Sequence, residues 1–268
     1  MPITNANGVD LYYEIHGEGE PLLLIMGLGL NSKSWFRTLP VLSEHYKVII
    51  FDNRGTGSSS KPNMPYSIGQ MADDTRAVLD AAGIDSAHVY GISMGGMIAQ
   101  RFALKYPERT LSLILGCTTS GGIHHVQPGA DVAMQLLSRG SAIATPEEIA
   151  WATAPILYSP SFIENCRDQV AEDIQKRIEV PVKPYAYMLQ LQACLAHDTY
   201  SEIDQINVPV LVIHGNADRL VPYANGVNLA EKIPNAEFLT INGAAHIYVT
   251  EANDLANERI LDFLSKLN

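Results

Sequence analysis

The sequence predicts an α/β fold, a mostly parallel central sheet flanked by helices, with a helical cap inserted over it. Two textures of chain carry this reading. Through residues 1–118 and again through 208–268, short apolar runs alternate with segments of helical spacing, as a parallel sheet with crossover helices requires. Between them, 119–207 drops the alternation and reads as helices broken by Pro128, Pro146, Pro155, Pro160, Pro181 and Pro184. With 268 residues, 47% of them hydrophobic, the chain can bury one large core, so 1–118 and 208–268 are expected to form it and 119–207 to cover it.

The elements follow in order. Val9 to Ile15 has strand character and closes at His16-Gly17-Glu18-Gly19. Leu22 to Met26 is an unbroken apolar run suited to a buried central strand. Ser32 or Ser34 can cap a helix carrying Trp35, Phe36, Leu39 and Leu42, which leads to a strand from Lys47 to Phe51. Ser67 with Gln70 is patterned as a capping box for a helix through Asp80, and Gly83 ends it. A strand from Ala87 to Tyr90 then runs into a helix with apolar positions Met94, Met97, Ile98 and Phe102, stopped by Pro107. Leu111 to Leu115 is the next strand. After the insertion come a strand from Val208 to His214, a helix from Ala224 to Lys232, a strand from Phe238 to Ile241 and a last helix from Asn253 to Leu267.

The junction at Gly91-Ile92-Ser93-Met94-Gly95 fits Gly-x-Ser-x-Gly between a strand and a helix. A strand that turns sharply into a helix strains its central residue and projects that side chain outward, and the residues two positions away must be small. Ser93 is therefore the candidate nucleophile. A serine hydroxyl needs a base, and the base needs an orienting group. Of eight histidines, His246 is singled out by Asn242-Gly243-Ala244-Ala245, whose small residues let an imidazole approach the carboxyl end of the last strand. Asp218 follows the Val208 to His214 strand, although it also suits a surface ion pair with Arg219; the loop Gly116-Cys117-Thr118-Thr119-Ser120 has no carboxylate. Ligands of open α/β sheets bind beyond the carboxyl ends of the strands, where Ser93, Asp218 and His246 should all fall. For an oxyanion hole, the donors expected are the backbone N–H of Met94 and of Leu28 in Met26-Gly27-Leu28-Gly29.

Other chemistries fit less well. Gly27-x-Gly29 after an apolar strand, with Asp52 beyond, approaches a dinucleotide fingerprint, but its third small position is Ser32, so no cofactor is expected. Cys117, Cys166 and Cys194 lack metal or redox spacing and are read as reduced, and no metal is expected. A net charge of −11 with no basic block disfavours nucleic acid and anionic membranes. Neither a signal-peptide core nor an apolar run long enough to span a bilayer is present, so cytoplasmic residence is the expectation.

The motifs Met26-Gly27-Leu28-Gly29, Phe51-Asp52-Asn53-Arg54-Gly55-Thr56-Gly57-Ser58, Gly91-Ile92-Ser93-Met94-Gly95-Gly96, His214-Gly215-Asn216-Ala217-Asp218 and Gly243-Ala244-Ala245-His246 together resemble the α/β-hydrolase fold superfamily, in particular its cap-bearing esterases and enol-lactonase-like members. The resemblance implies Ser93 as nucleophile, Asp218 as acid, His246 as base, Leu28 and Met94 as oxyanion donors, and a structural role for Asp52 and Arg54. It departs at Met26, where the family usually has His. Dehalogenase and epoxide-hydrolase members carry aspartate at the nucleophile position, which Ser93 disfavours. The implied activity is serine-dependent hydrolysis of small to medium apolar or aromatic carboxylic esters. Enol-lactone or C–C bond hydrolysis, cofactor-free perhydrolysis and ligand sensing without turnover are the alternatives. An acidic substrate would need a cation from the cap, where Arg139, Arg167, Lys176, Arg177 and Lys183 are available.

Overall fold

The computed structural model describes residues 2–138 and 144–267. Its strands are β1 (Ile3–Ala6), β2 (Val9–His16), β3 (Pro21–Ile25), β4 (Lys47–Phe51), β5 (Ala87–Ile92), β6 (Thr110–Gly116), β7 (Val210–Gly215) and β8 (Glu237–Ile241). They form one sheet in the order β1-β2-β4-β3-β5-β6-β7-β8. The pairs β1/β2 and β2/β4 are antiparallel and the remainder parallel. Helices α1 (Leu39–Ser43), α2 (Ile68–Ala81) and α3 (Met94–Lys105) link the first half of the sheet. Between β6 and β7 come α4 (Ala130–Ser138), α5 (Pro146–Leu157), α6 (Pro160–Asn165), α7 (Arg167–Ile178) and α8 (Pro184–Leu195), and α9 (Ala224–Lys232), α10 (Tyr248–Glu251) and α11 (Asn253–Ser265) complete the chain.

Side chains of a strand alternate between faces, so an unbroken apolar strand must be covered on both sides. On β3, Leu23 and Ile25 pack with Met71, Ile98 and Phe102 from α2 and α3. Leu22 and Leu24 face the other way, against Trp35 and the α11 residues Ile260 and Phe263. The helices inserted after β6 have a smaller core of their own, Val132, Ala154, Tyr158, Val170 and Ile174, which Ile247 of the main body joins. That shared residue lies next to His246.

Two local expectations are corrected. The single helix from Trp35 to Leu42 is instead a 3-10 turn, Ser32–Trp35, followed by α1. Pro40 explains the restart, since proline lacks the N–H that a continuous helix would use and restricts the residue before it. The turn is capped by Asn31, whose side chain accepts the Lys33 N–H at 3.0 Å, and not by either serine. The edge strand β1 is an addition, joined to β2 by Asn7 and Gly8 at φ 53° and 76°. Asn-Gly is the residue pair such a hairpin favours, so the signal was present in the sequence. Elsewhere Ser67 does cap α2, accepting the Gln70 N–H at 3.1 Å.

The loop after β4 divides its charges. Asp52 accepts the amides of Ser32 at 2.8 Å and Ser58 at 2.7 Å, holding the turn. Arg54 reaches away to α2 and pairs with Asp74 through two bonds of 2.6 and 2.7 Å, each side chain only 1% exposed. Breaking a buried pair of this kind by truncating one partner costs about 3–5 kcal/mol, because the other charge is left stranded.

Candidate active site

Ser93 sits between β5 and α3 at φ 56° and ψ −120°, a left-handed conformation that non-glycine residues seldom adopt. Such strain costs on the order of 1–3 kcal/mol and persists only where the surroundings enforce it. Here the surroundings are backbone: a Cβ on Gly91 would strike the carbonyl of Gly95, and one on Gly95 would strike that of Ile25. The two glycines of the motif are thus demanded by close approach of β3, β5 and α3.

Asp218 lies in the loop after β7 and His246 in the loop after β8, and the fold brings them together. His246 Nδ1 is 2.7 Å from Asp218 Oδ2, with the carboxylate wholly buried and the ring nearly so. Oδ1 of the same carboxylate accepts the N–H groups of Leu220 at 2.8 Å and Val221 at 2.9 Å, which fixes its plane. The Nδ1 proton therefore points at Asp218, and Nε2 is left as the basic nitrogen. Burial opposes ionisation of Asp218, but the charge of His246 and the hydrogen bonds from His214 and His246 outweigh it and bring its pKa down to about 2. Arg219 is not its partner and binds Asp131 at 2.5 Å.

His214, which heads the motif His214-Gly215-Asn216-Ala217-Asp218, stands beside the acid four residues on. Its Nε2 donates to Val221 O at 2.8 Å and lies 3.3 Å from Asp218 Oδ2, with no exposure at either side chain. Ser93 and His246 line one cavity, on whose wall they are not hydrogen-bonded to each other among the described residues.

The loop after β3 lies against the serine: an added Cβ on Gly27 would sit 3.2 Å from Ser93 Cβ. Of its amides, Leu30 N donates to Gly27 O and Gly29 N to Gln190 Oε1 at 2.9 Å, which leaves the Leu28 N–H uncommitted among the described bonds. Met94 opens α3, so its N–H has no intrahelical acceptor. Both residues line the cavity beside Ser93. Gln190, from α8, also donates to Arg54 O at 2.8 Å and so ties the loop after β3 to the loop after β4. In the sequence Gln190 is one of two glutamines on a largely apolar helix, 161 positions from its partner Gly29.

The cavity measures about 470 Å³. Much of its wall is apolar, including Ile156, Leu157, Leu191 and Leu220, as small-molecule sites usually are. Of the cap cations considered above, Arg177 lines it, 2.9 Å from the Tyr158 hydroxyl and in no ion pair among the described residues. Arg167 lies over the Trp151 ring, Lys176 pairs with Glu179, and Arg139 lies outside the described residues. Among the described residues, one grouping has metal-ligand atom types within 4.8 Å of one another: Cys117, Asp218 and His246. Burial pushes the Cys117 thiol well up, which makes it a poor thiolate ligand. No helix is long and apolar enough to cross a membrane among the described residues.

A family model described as alpha/beta hydrolase fold matches residues 20–142, and another described as TAP-like protein matches 187–268. The chain belongs to the α/β-hydrolase fold family. It is 34% identical to a protein of Azorhizobium caulinodans named for carbamate hydrolysis, RutD, the match covering 100% of both chains. It is 31% identical to a poly(3-hydroxyalkanoate) depolymerase of Ectopseudomonas oleovorans, over 88% of this chain and 81% of the other. Among solved structures, the enol-lactonase of Burkholderia xenovorans LB400 superposes with a TM-score of 0.86 at 27% identity, covering 98% of this chain and 100% of the enzyme.

Proposed function

We propose that the protein is a serine hydrolase that cleaves small to medium carboxylic esters through an acyl-enzyme. The observation that carries this is the 2.7 Å contact of His246 Nδ1 with Asp218, which leaves Nε2 as a base on the same cavity wall as the strained Ser93. In the first half-reaction Ser93 Oγ gives its proton to His246 Nε2 and attacks the substrate carbonyl carbon. The oxygen of that carbonyl takes up negative charge against the N–H groups of Leu28 and Met94, each such donor being worth about 2.7–4 kcal/mol of barrier. The intermediate collapses as His246 returns the proton to the departing alcohol. Water then attacks the acyl-Ser93 carbonyl, giving its proton to His246, and as the acid leaves His246 returns that proton to Ser93 Oγ. Asp218 stays ionised throughout and stabilises the imidazolium. Hydrogen bonds of this kind tighten when substrate fills the site, so the Ser93 to His246 contact closes on binding.

Cavity size argues for an ester over carbamate, which has a handful of atoms and would leave most of about 470 Å³ unfilled. A second reading rests on Arg177. An unpaired guanidinium on an apolar wall suits a substrate that carries a carboxylate, as an acidic lactone or ester would. Both readings use the same triad. A fluorophosphonate probe should label Ser93, and a panel of acyl nitrophenyl esters should be turned over by the native protein and not by Ser93→Ala. Ester turnover unchanged in Ser93→Ala would refute the proposal.

A further inference from the structure

His125 and His197 form part of the cavity wall but lie outside the triad, and the hydrogen bonds behind them settle which ring nitrogens carry protons. Asn225 donates through Nδ2 to Val126 O at 2.9 Å and Pro222 O at 3.0 Å, so its Oδ1 is an acceptor, and it receives the Val126 N–H at 2.9 Å. The Thr119 hydroxyl donates to the same oxygen at 3.1 Å. His125 Nδ1 stands 3.0 Å from Thr119 Oγ1 and 3.2 Å from Asn225 Oδ1, two oxygens that offer it lone pairs. Nδ1 therefore carries the hydrogen, and Nε2 of His125 is bare.

The same accounting applies to the second ring. Gln100 donates through Nε2 to Thr119 O at 3.0 Å, which turns its Oε1 to the Thr199 hydroxyl at 2.8 Å. Thr199 has one hydrogen and spends it there, so His197 Nε2, 3.3 Å from Thr199 Oγ1, is the donor in that contact. Nδ1 of His197 is then the bare nitrogen. Burial keeps both rings neutral, lowering the pKa of His125 and taking that of His197 down to about 3 with help from Arg101. Neither bare nitrogen has a protein partner among the described residues. Each is therefore an acceptor on the cavity wall that a donor on a ligand can fill.

The same wall carries donors, the amides of Leu28 and Met94 and the guanidinium of Arg177, and the carboxylates Asp173 and Asp198. From the two bare ring nitrogens we infer that the His125 and His197 rings form a substrate subsite for a hydrogen-bond donor, a hydroxyl or an amide N–H carried by the acyl or alcohol portion of the ester. The inference rests on the serine hydrolase reading and adds the substrate class. A site built to receive such a donor discriminates strongly against the analogue that lacks it, because the acceptors are then left unpaired.

The test compares nitrophenyl esters matched in chain length: a hydroxyacyl ester, its O-methyl ether, an N-acylaminoacyl ester and its N-methyl counterpart. Native protein should favour one donor-bearing ester over its methylated partner by about tenfold or more in kcat/KM, and the pair that discriminates identifies the donor. His125→Phe should bring that ratio close to one while the unsubstituted acyl ester is still turned over, and His125→Gln, which restores an acceptor, should recover part of it. Equal rates within both pairs for the native protein, or an unchanged ratio in a folded His125→Phe, would overturn the inference. Should no ester be turned over, calorimetry of the hydroxy acid and its O-methyl ether with Ser93→Ala reads the subsite separately. Equal affinities there would also overturn it.

Discussion

The Ser159 hydroxyl donates to Glu251 Oε2 at 2.6 Å, joining the helices inserted after β6 to the segment that carries His246. The other oxygen of Glu251 accepts the amides of Ser159 at 3.0 Å and Ala245 at 3.2 Å, so one carboxylate holds the junction of α5 and α6 and the residue preceding His246. Two more links run in parallel: Ile247 N donates to Leu157 O at 3.0 Å, and Arg219, beside Asp218, donates to Pro155 O at 3.2 Å. Glu251→Ala should therefore lower kcat severalfold through a loosened histidine loop and reduce stability by about 1–3 kcal/mol. Glu251→Gln should recover most of both. Steady-state kinetics with thermal melts checks this, and a kcat equal to native in Glu251→Ala would show that the loop is held by its other bonds.

A pH dependence of stability follows from Asp218. Its pKa is about 2 in the folded chain against an ordinary 3.8, so the unfolded chain binds its proton first as acid is added. The stabilisation is present above the unfolded value and drains away as pH falls through the folded one, a total on the order of 2 kcal/mol. Urea unfolding of native protein and Asp218→Asn from near neutrality into this acid range should give curves that converge as pH falls. Parallel curves would contradict the shift. His214→Phe removes one contribution to the lowered value and should narrow the window.

Gln190 braces the loop after β3, which carries the proposed oxyanion donor Leu28. Gln190→Ala frees Gly29 N and Arg54 O together, and the Leu28 amide loses its fixed aim. Displacement of one donor by a fraction of an ångström should reduce kcat by roughly ten- to a hundredfold with a small change in KM, less than removal of a donor outright. Burst kinetics with a nitrophenyl ester separates the acylation step, where the loss should appear.

The second reading, in which Arg177 selects an acidic substrate, is tested by its removal. Arg177→Met should raise KM at least tenfold for an ester bearing a distal carboxylate and leave the neutral ester of equal length within about twofold, since a charge-assisted bond contributes roughly twice a neutral one. Equal effects on the two esters would assign Arg177 to packing against Tyr158.

How much of this was legible in the sequence depended on how far each requirement reaches along the chain. The elbow was legible because a strand-to-helix turn constrains neighbours two positions away, which places Gly91 and Gly95 around Ser93. Asp218 and His246 were legible as residues at the ends of adjacent parallel strands. The break between Trp35 and α1 was missed because apolar spacing outweighed Pro40, a local signal that was available. His214 lay in a short motif with Asp218, four residues on, but Gln190 and Glu251 left no such signal. Each of these two acts through a partner fixed by the folded sheet, Glu251 through Ser159 at a separation of 92 residues, and no spacing rule connects them.

The order of the strands also has a temporal consequence. Ser93 and the loop around Leu28 belong to the first part of the chain, while Asp218 and His246 follow the inserted helices and dock only when β7 and β8 join β6. A chain still being synthesised can therefore complete its serine turn with no base to draw off the proton. On the proposed mechanism reactivity arrives with the last two strands, so half-made molecules should be inert toward nitrophenyl esters.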